Sequence, residues 1–351
     1  MTEREKIYIF DKWIAEAGAI AISSHTHPDG DAVGSACALA EYLRKRGKTV
    51  SVVLPDPVPG NLLFALDEAV SSAIFSDLQT CRRLIGEADM LISIDYNRAD
   101  RAAGLEEAIT VSKARKVLID HHLNPDSENY GLVFSTPQIS SSCEMLYRVL
   151  MGMPDIEGDA GKLGLKAASL LMLGMTTDTN NFANSTYPST FEMAGKLIAV
   201  GVDRQALLNG LYNSYRENRL RLMGTFLKDK LKITGYGLAY AIFTAEELLG
   251  AGIEEGETEG FVNLPLAIAS VRMSIFIKEE GQTFRVSLRS RQGVSANRCA
   301  KLYFHGGGHE NASGGRLDIP RDAASAVEAA DYVEKCCAEF FRNEELWRTQ
   351  E

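Results

Sequence analysis

The chain has 351 residues, a length that predicts two domains with separate hydrophobic cores. Its net charge of −10 argues against a general binder of long nucleic acid, and no apolar run is long enough to span a bilayer. The six cysteines form no C-x-x-C pair and no signal-peptide core follows the first residues, so we expect free thiols and a cytoplasmic location.

The first chemically informative segment runs from His25 to Asp31 and reads His-Thr-His-Pro-Asp-Gly-Asp. An apolar run at 19–22 precedes it and a helical pattern at 32–46 follows it, so we predict a loop between a strand and a helix. Such loops are where α/β proteins bind ligands. The two histidines and two aspartates favour a divalent transition metal such as manganese, although Asp31 alone is equally explained as a helix cap.

Two later strands also end in ionisable residues. The apolar run 90–94 ends on Asp95, and the run 116–119 ends on Asp-His-His at 120–122. One aspartate after a strand is a common helix cap. Three strand ends of this kind indicate that the side chains meet at one edge of a parallel sheet.

Asp178 follows a helix that is predicted over residues 158–175 and is mostly apolar. A carboxylate after the C-terminal end of a helix is poorly placed with respect to the helix dipole. We therefore expect a cation beside Asp178, and a metal ion would supply one.

The composition changes in the second part of the chain. We predict a parallel-sheet α/β domain with helices on both faces over 1–202, a helical linker over 203–231 and a smaller mixed α/β domain over 232–351. Between 271 and 301 the last segment carries seven Lys or Arg against two Glu. This local positive charge favours a small phosphorylated ligand, although a solvated strand face explains it as well.

The order of these motifs resembles that of a known family. The segment H-x-x-P-D-G-D, an aspartate at a strand end, Asp-His-His and an aspartate after a buried helix look like the four motifs of the DHH phosphoesterases. The segment from Gly306 to Gly315 resembles the glycine-rich loop of the DHH-associated C-terminal domain. The likeness covers nearly the whole chain, and all six histidines fall in these motifs or close to them.

This resemblance implies an enzyme with two divalent metal ions, which we expect to be Mn²⁺. The implied reaction is hydrolysis of short oligoribonucleotides to mononucleotides, or of 3′-phosphoadenosine-5′-phosphate to AMP. The implied metal ligands all come from the four motifs. One ion is expected to bind His25, Asp29 and Asp95, and the other Asp31, Asp95, His121 and Asp178.

The resemblance also implies two residues that act in the reaction. Asp120 would orient His121 through the second ring nitrogen of that histidine. His122 would face the scissile phosphate, and support of its loop is the other explanation for it.

The second domain is expected to bind a phosphate of the substrate in a cleft between the domains. Its implied binding residues are Arg289, Ser290, Gly306, Gly307, Gly308 and His309. An arginine can donate two parallel hydrogen bonds to a phosphate, and glycines let backbone N–H groups approach an anion closely. Tight turns use glycine as well, so the glycine loop alone is weak evidence.

Several functions remain open at this point. A phosphodiesterase of cyclic or linear dinucleotides would use the same catalytic motifs. A manganese inorganic pyrophosphatase resembles the chain less well, because it needs a lysine- and arginine-rich loop in its second domain. A nucleotide-binding protein without activity would be indicated by loss of a metal ligand, and no ligand is lost. We expect short single-stranded RNA or small phosphorylated nucleotides as partners, no duplex nucleic acid and no membrane, and the sequence leaves open whether the chain forms a homodimer.

Overall fold

The computed structural model describes residues 1–348. The chain divides into two compact units, of which the first spans Met1–Ser214 and the second begins at Tyr215. The division lies within the predicted linker, residues 203–231. The boundaries at 202 and 232 stay predictions. Within residues 1–348, no helix is both long and apolar enough to cross a membrane.

The first unit is built on a six-stranded sheet in which every pair of neighbouring strands is parallel. The strands are β1 (Ala19–Ser23), β2 (Thr49–Val53), β3 (Ile74–Phe75), β4 (Met90–Ile94), β5 (Arg115–Asp120) and β6 (Leu132–Ser135). Their order across the sheet is β3-β2-β1-β4-β5-β6.

Nine helices surround this sheet. They are α1 (Glu3–Glu16), α2 (Gly30–Lys45), α3 (Glu68–Ser71), α4 (Leu78–Glu87), α5 (Glu106–Val111), α6 (Ser142–Met151), α7 (Leu165–Asp178), α8 (Pro188–Val200) and α9 (Arg204–Tyr212). Strand β4 is apolar and fully buried because both of its faces are covered. Ile92 packs in the larger core with α2, α6 and α7, whereas Leu91 packs in the smaller core with α4 and α5. The predicted α/β domain with helices on both faces is confirmed.

The strand order reverses between β1 and β4. The chain leaves β1 towards β2 and β3 at one side of the sheet, and it returns to β4 and continues to β5 and β6 at the other side. The loops after β1 and β4 therefore run in opposite directions and leave a crevice at the carboxyl ends of the strands. The loop from 24 to 29 and the residue Asp95 both lie at this position.

Helices α2 and α7 approach each other at two glycines, Gly34 and Gly174. A Cβ atom on Gly34 would lie only 2.6 Å from the carbonyl oxygen of Leu170, and one on Gly174 would lie 2.9 Å from the Cα atom of Asp31. No side chain fits at either place without moving backbone. This contact brings the last turn of α7 close to the first turn of α2.

Helix α7 differs from the predicted helix 158–175 at both ends. It begins at Leu165, because Gly164 has φ 80° and belongs to a turn that separates α7 from the preceding segment. It continues to Asp178, so this aspartate lies in the last helical turn and not after the helix.

The second unit contains a six-stranded mixed sheet. Its strands are β7 (Lys232–Ile233), β8 (Leu238–Phe243), β9 (Met273–Glu280), β10 (Thr283–Ser290), β11 (Gly307–Gly308) and β12 (Ala312–Asp318). The order is β11-β12-β10-β9-β8-β7, with β8 and β9 parallel and the other neighbours antiparallel. Its helices are α10 (Glu217–Thr225), α11 (Ala245–Gly250), α12 (Ala296–Tyr303), α13 (Ala326–Arg342) and α14 (Glu344–Trp347). The predicted mixed α/β fold is confirmed.

Strand β10 shows how this sheet separates its two faces. Phe284, Val286 and Leu288 are buried, whereas the residues between them are partly exposed. Arg289 continues this alternation on the less buried face, next to the end of the strand.

Candidate metal centre

The loop after β1 is fixed at its end by Asp29. One carboxylate oxygen of Asp29 accepts hydrogen bonds from the backbone N–H groups of Asp31 and Ala32 at 2.9 and 3.1 Å. Asp29 is therefore the N-cap of α2. The capping role that the sequence left open for Asp31 belongs to Asp29, and the Asp31 carboxylate serves another purpose.

The Asp31 side chain is buried and points at the first turn of α6. Its Oδ2 atom accepts the N–H of Ser142 at 2.6 Å, and its Oδ1 atom accepts the N–H of Cys143 at 2.9 Å. These N–H groups belong to the beginning of a helix, where they have no partner within the helix. The carboxylate is thus held in one orientation by two adjacent N–H groups of α6, a segment far from Asp31 in sequence.

Asp95 is the residue at the centre of the cluster. It follows β4 with a left-handed backbone, φ 65°, a conformation that aspartate adopts more readily than most residues. Its Oδ2 atom lies 3.3 Å from Nε2 of His25, and its Oδ1 atom lies 3.6 Å from Nε2 of His121. Each carboxylate oxygen therefore faces a different histidine.

The ring of His121 faces three of the predicted acidic ligands at once. Its Nε2 atom lies 3.8 Å from Asp31, 3.6 Å from Asp95 and 3.5 Å from Asp178, measured to the nearer carboxylate oxygen. Asp178 is the most accessible of these acids, with 26% of its side chain exposed. Three strand ends and the end of α7 thus converge on one point.

The hydrogen bonds of His25 determine which of its nitrogens can bind a cation. Nδ1 lies 2.8 Å from the carbonyl oxygen of Thr26, which can only accept, so Nδ1 carries the proton. In the neutral ring, Nε2 then presents a lone pair to the Asp95 carboxylate 3.3 Å away. Burial lowers the pKa of His25, which favours this neutral form. The Nε2 lone pair of His25 and the Asp95 carboxylate therefore face each other, and a cation between them would be bound by both.

Burial shifts the pKa values of two aspartates, Asp31 and Asp95, in the opposite direction, upwards. Burial, together with the charge of Asp178, raises the pKa of Asp31 to about 6. Burial and the neighbouring Asp31 raise the pKa of Asp95 well above its usual range, and burial lowers the pKa of His121. Asp31 and Asp95 form ion pairs only with histidines in the part of the chain that the structure describes. A bound cation would offset the repulsion between these carboxylates.

These residues fit the divalent ions that the family implies. His25, Asp29 and Asp95 offer ligand atoms that all lie within 4.8 Å of one another, and so do Asp31, Asp95 and His121. Asp95 belongs to both groups. The mixture of imidazole and carboxylate donors suits first-row transition metals.

Asp120 makes a contact that the sequence did not indicate. Its Oδ1 atom lies 2.7 Å from Nδ1 of His122, and its Oδ2 atom accepts the N–H of His122 at 3.1 Å. The aspartate thus orients the ring of His122, whereas the expected bond to His121 stays a prediction. Because a carboxylate oxygen accepts hydrogen bonds, Nδ1 of His122 is the donor in this contact.

Four residues that no sequence motif singled out also shape the site: Ser142, Cys143, Gly34 and Gly174. The signal for Ser142 was present, because a helix needs one capping residue and three serines, at 140–142, precede or begin α6. Gly34 and Gly174 carried no such signal, since their role depends on the approach of two helices that are distant in sequence.

The predicted phosphate-binding residues of the second unit have well-defined partners of their own. The buried Ser290 hydroxyl donates to the carbonyl oxygen of Val294 at 2.5 Å and accepts from the side-chain amide of Asn311 at 3.0 Å. Arg289 donates to the carbonyl oxygen of Leu288 at 2.9 Å. Ser290 therefore holds together the turn that follows Arg289.

Two of the three glycines in the predicted binding loop are required by packing. A Cβ atom on Gly306 would lie 2.6 Å from the Cα atom of Gly315, and Gly308 has φ 140°. Gly307 has more room, because the nearest atom to a Cβ there would be Cε of Lys301 at 3.7 Å. His309 begins a tight turn in which its N–H donates to the carbonyl oxygen of Ala312 at 2.8 Å.

A parallel-sheet domain with a cluster of histidines and aspartates at its carboxyl edge is typical of metal-dependent hydrolases. The chain belongs to the DHH family. Residues 19–175 match the DHH family, N-terminal domain, and residues 235–335 match the DHHA1 domain. The chain is 30% identical to the bifunctional oligoribonuclease and PAP phosphatase NrnA of Bacillus subtilis (strain 168), over 85% of this chain and 89% of that protein. The resemblance stated from the sequence is confirmed.

Two further relatives extend this comparison. The crystal structure of an exopolyphosphatase-related protein from Bacteroides fragilis superposes with a TM-score of 0.88 and 32% identity, over 97% of this chain and 98% of that one. The cyclic-di-AMP phosphodiesterase GdpP of Geobacillus thermodenitrificans (strain NG80-2) is 26% identical over 87% of this chain, which corresponds to 46% of that protein. The similarity to NrnA covers nearly all of both proteins, whereas the similarity to GdpP covers less than half of the relative.

Proposed function

We propose that the chain is a metal-dependent phosphoesterase that hydrolyses short oligoribonucleotides to mononucleotides, 3′-phosphoadenosine-5′-phosphate to AMP, or both. The observation that carries this proposal is the position of His121 Nε2, 3.5 to 3.8 Å from three carboxylates, in a chain that is 30% identical to an oligoribonuclease and PAP phosphatase. Among residues 1–348, Asp31 and Asp95 form ion pairs with histidines and with no lysine or arginine, so ordinary structural ion pairs do not explain them.

The proposed ligand sets are those implied by the family. His25, Asp29 and Asp95 would hold one ion, and Asp31, Asp95, His121 and Asp178 would hold the other. Divalent ions in such a pair lower the pKa of a bound water and neutralise charge on phosphate oxygens. Manganese is the proposed metal, since imidazole ligands favour it over magnesium, which prefers oxygen ligands alone.

His122 is the proposed contact to the scissile phosphate. Asp120 accepts the Nδ1–H of His122 and so directs the opposite nitrogen, Nε2, towards a substrate. From that position, Nε2 of His122 would form a hydrogen bond with a phosphate oxygen. The pair resembles the arrangement by which other hydrolases fix the orientation of a histidine.

Arg289 is the proposed contact to a second phosphate of the substrate. Its side chain belongs to the less buried face of β10, and a guanidinium can donate two parallel hydrogen bonds to one phosphate. Gly307 and His309 are proposed to add hydrogen bonds, whereas Ser290 is proposed to hold the turn beside Arg289. A binding site for a phosphate that is not cleaved favours substrates with a chain end or a second phosphate group.

The distant similarity to GdpP supports one alternative, a phosphodiesterase of cyclic or linear dinucleotides. The six cysteines are all buried thiols, which supports the proposed location in a reducing cytoplasm.

A panel of substrates tests the proposal. Initial rates would be measured with Mn²⁺ on a diribonucleotide, a pentaribonucleotide, a 24-residue single strand, 3′-phosphoadenosine-5′-phosphate, a cyclic dinucleotide and pyrophosphate. We expect the short RNAs or the bisphosphate nucleotide to react fastest and the rate to fall with RNA length. Fastest hydrolysis of the cyclic dinucleotide or pyrophosphate would support a different member of the family, and equal rates on all RNA lengths would contradict binding of a chain end. The Asp95→Asn variant, purified in parallel, controls for contaminating nucleases.

A further inference from the structure

Ser142 contacts two of the proposed metal ligands at once. Its N–H donates to Oδ2 of Asp31 at 2.6 Å, and its hydroxyl donates to Oδ1 of Asp95 at 2.8 Å. Asp31 lies in the first turn of α2 and Asp95 follows β4, so one residue of α6 connects acids from two different segments. The Ser142 side chain is fully buried.

Formation of α6 does not explain the Ser142 hydroxyl. The N-cap of this helix is Ser141, whose hydroxyl accepts the N–H of Glu144 at 3.0 Å. Ser142 occupies the first helical position, where a side-chain hydroxyl has no capping role. Burying a hydroxyl is unfavourable unless it is hydrogen-bonded, and the bond it makes is to the central carboxylate of the site.

The orientation of Asp95 depends on what holds its carboxylate. Oδ2 faces His25 at 3.3 Å, and Oδ1 faces His121 at 3.6 Å. Rotation about the bond to the carboxylate carbon would move both oxygens away from these positions. The backbone of Asp95 is fixed by the hydrogen bond from its N–H to the carbonyl oxygen of Ile119, but that bond does not restrict the side-chain rotation.

We propose that Ser142 is a positioning residue for the proposed metal centre: its hydroxyl holds Asp95 so that each carboxylate oxygen faces a different histidine, while its N–H holds Asp31 in register with Asp95. This inference rests on the proposed function, because it concerns the same metal centre. The two contacts are separable, since replacing Ser142 by alanine removes the hydroxyl and keeps the N–H. Hydrogen-bonding partners of metal ligands typically contribute 10- to 100-fold in metal affinity or activity.

Metal binding provides a test that does not depend on activity. Calorimetric titration with Mn²⁺ of the chelator-treated full chain would compare the parent, Ser142→Ala and Ser142→Thr. Ser141→Ala is the matched control, because it alters the neighbouring serine and removes the cap without touching a ligand. We expect Ser142→Ala to bind Mn²⁺ about 10- to 100-fold more weakly than the parent. Ser142→Thr keeps the hydroxyl and should bind Mn²⁺ more tightly than Ser142→Ala.

Electron paramagnetic resonance gives a second readout. The parent should show the spectrum of two coupled Mn²⁺ ions, and Ser142→Ala should show mainly isolated ions at the same metal concentration. Ser141→Ala should unfold at a lower temperature than the parent but retain the affinity and the coupled spectrum.

The possible outcomes separate the two proposals. A parent that binds no pair of Mn²⁺ ions would overturn the metal centre and this inference together. A parent that binds two ions, with Ser142→Ala within twofold of it, would overturn the inference about Ser142 alone. An equal loss of affinity in Ser141→Ala would also overturn that inference, because it would attribute the effect to the stability of α6.

Discussion

The metal cluster of the first unit and the glycine loop of the second unit were both singled out from the sequence, but the structure explains them differently. In the first unit, Asp29 caps α2 and Asp31 accepts N–H groups at the start of α6. The buried Asp95 carboxylate caps no helix and, among residues 1–348, forms ion pairs only with histidines. In the second unit, Gly306 and Gly308 are required by close backbone contacts and Ser290 by its bonds to Val294 and Asn311. A residue without a structural explanation is stronger evidence of function than one with a complete explanation.

The largest expected effect comes from Asp95, which belongs to both ligand groups. Asp95→Asn keeps the size of the side chain and removes its charge, so neither ion is held as in the parent. We expect hydrolysis of a diribonucleotide to fall by more than the roughly 100-fold that is typical for loss of an outer partner of a metal ligand. The measurement is the initial rate with saturating Mn²⁺. If Asp95→Asn kept activity within tenfold of the parent, Asp95 would not be an essential metal ligand. The cluster of the first unit would then be no stronger a candidate for function than the glycine loop of the second unit.

Arg289→Ala tests whether the second unit contributes more than structure. Loss of charge-assisted hydrogen bonds should lower the rate on a diribonucleotide by about 10- to 100-fold. A simple phosphoester with a good leaving group and no second phosphate should be hydrolysed at nearly the parent rate, because it cannot use this contact.

The His122→Ala variant is the control for Arg289→Ala. It should lower the rates on both substrates, because His122 is proposed to act at the scissile phosphate. His309→Ala should show the same substrate dependence as Arg289→Ala, but more weakly. Equal losses on both substrates in Arg289→Ala, with metal content unchanged, would assign that arginine a structural or catalytic role instead.

The pH dependence of metal binding tests the negative charge of the aspartate cluster in the first unit. The pKa of Asp31 is raised to about 6 in the folded state, so the folded chain binds this proton more tightly than the unfolded chain does. Ionised Asp31 therefore destabilises the metal-free fold, and this effect of roughly 3 kcal/mol develops as the pH rises from about 4 through 6. A bound cation offsets the charge, while protons compete with it at lower pH.

We therefore expect Mn²⁺ to raise the melting temperature more at pH 7.5 than at pH 5.5. The control is the same pair of scans with a chelator, which separates metal binding from the general effect of pH. Equal increases at the two pH values would show that Asp31 does not titrate in this range.

The smallest expected effect concerns the glycine loop. Gly306→Ala places a Cβ atom in collision with the carbonyl oxygen of Gly314 and 2.6 Å from the Cα atom of Gly315, and it should destabilise the fold by about 1–3 kcal/mol. Gly307→Ala has room for its methyl group and should leave stability nearly unchanged. Urea unfolding of both variants would measure this, and reduced binding of a dinucleotide in Gly307→Ala alone would assign that glycine a role in phosphate binding. Equal destabilisation by the two changes would contradict the packing argument.

The sequence predicted those parts of the site that depend on which residues directly follow a strand. Apolar runs followed by Asp95 and by 120–122 predicted which side chains would meet, because parallel strands end at a common edge. The partner of Asp120 and the length of α7 were not predictable in this way. The first depends on the rotation of the His122 ring, and the second on a turn at Gly164 that interrupts a uniformly apolar pattern.

The contact between α2 and α7 has a consequence for the time at which the centre forms. Asp178 is the last residue of α7, and it reaches the cluster only when Gly174 lies against α2. A ribosome-bound chain that ends before residue 178 lacks this proposed ligand, however well the strands β1 to β6 have formed. The proposed centre can therefore be completed only after the first half of the chain has been synthesised. A fragment cut before α7 would lack one of the six proposed ligands.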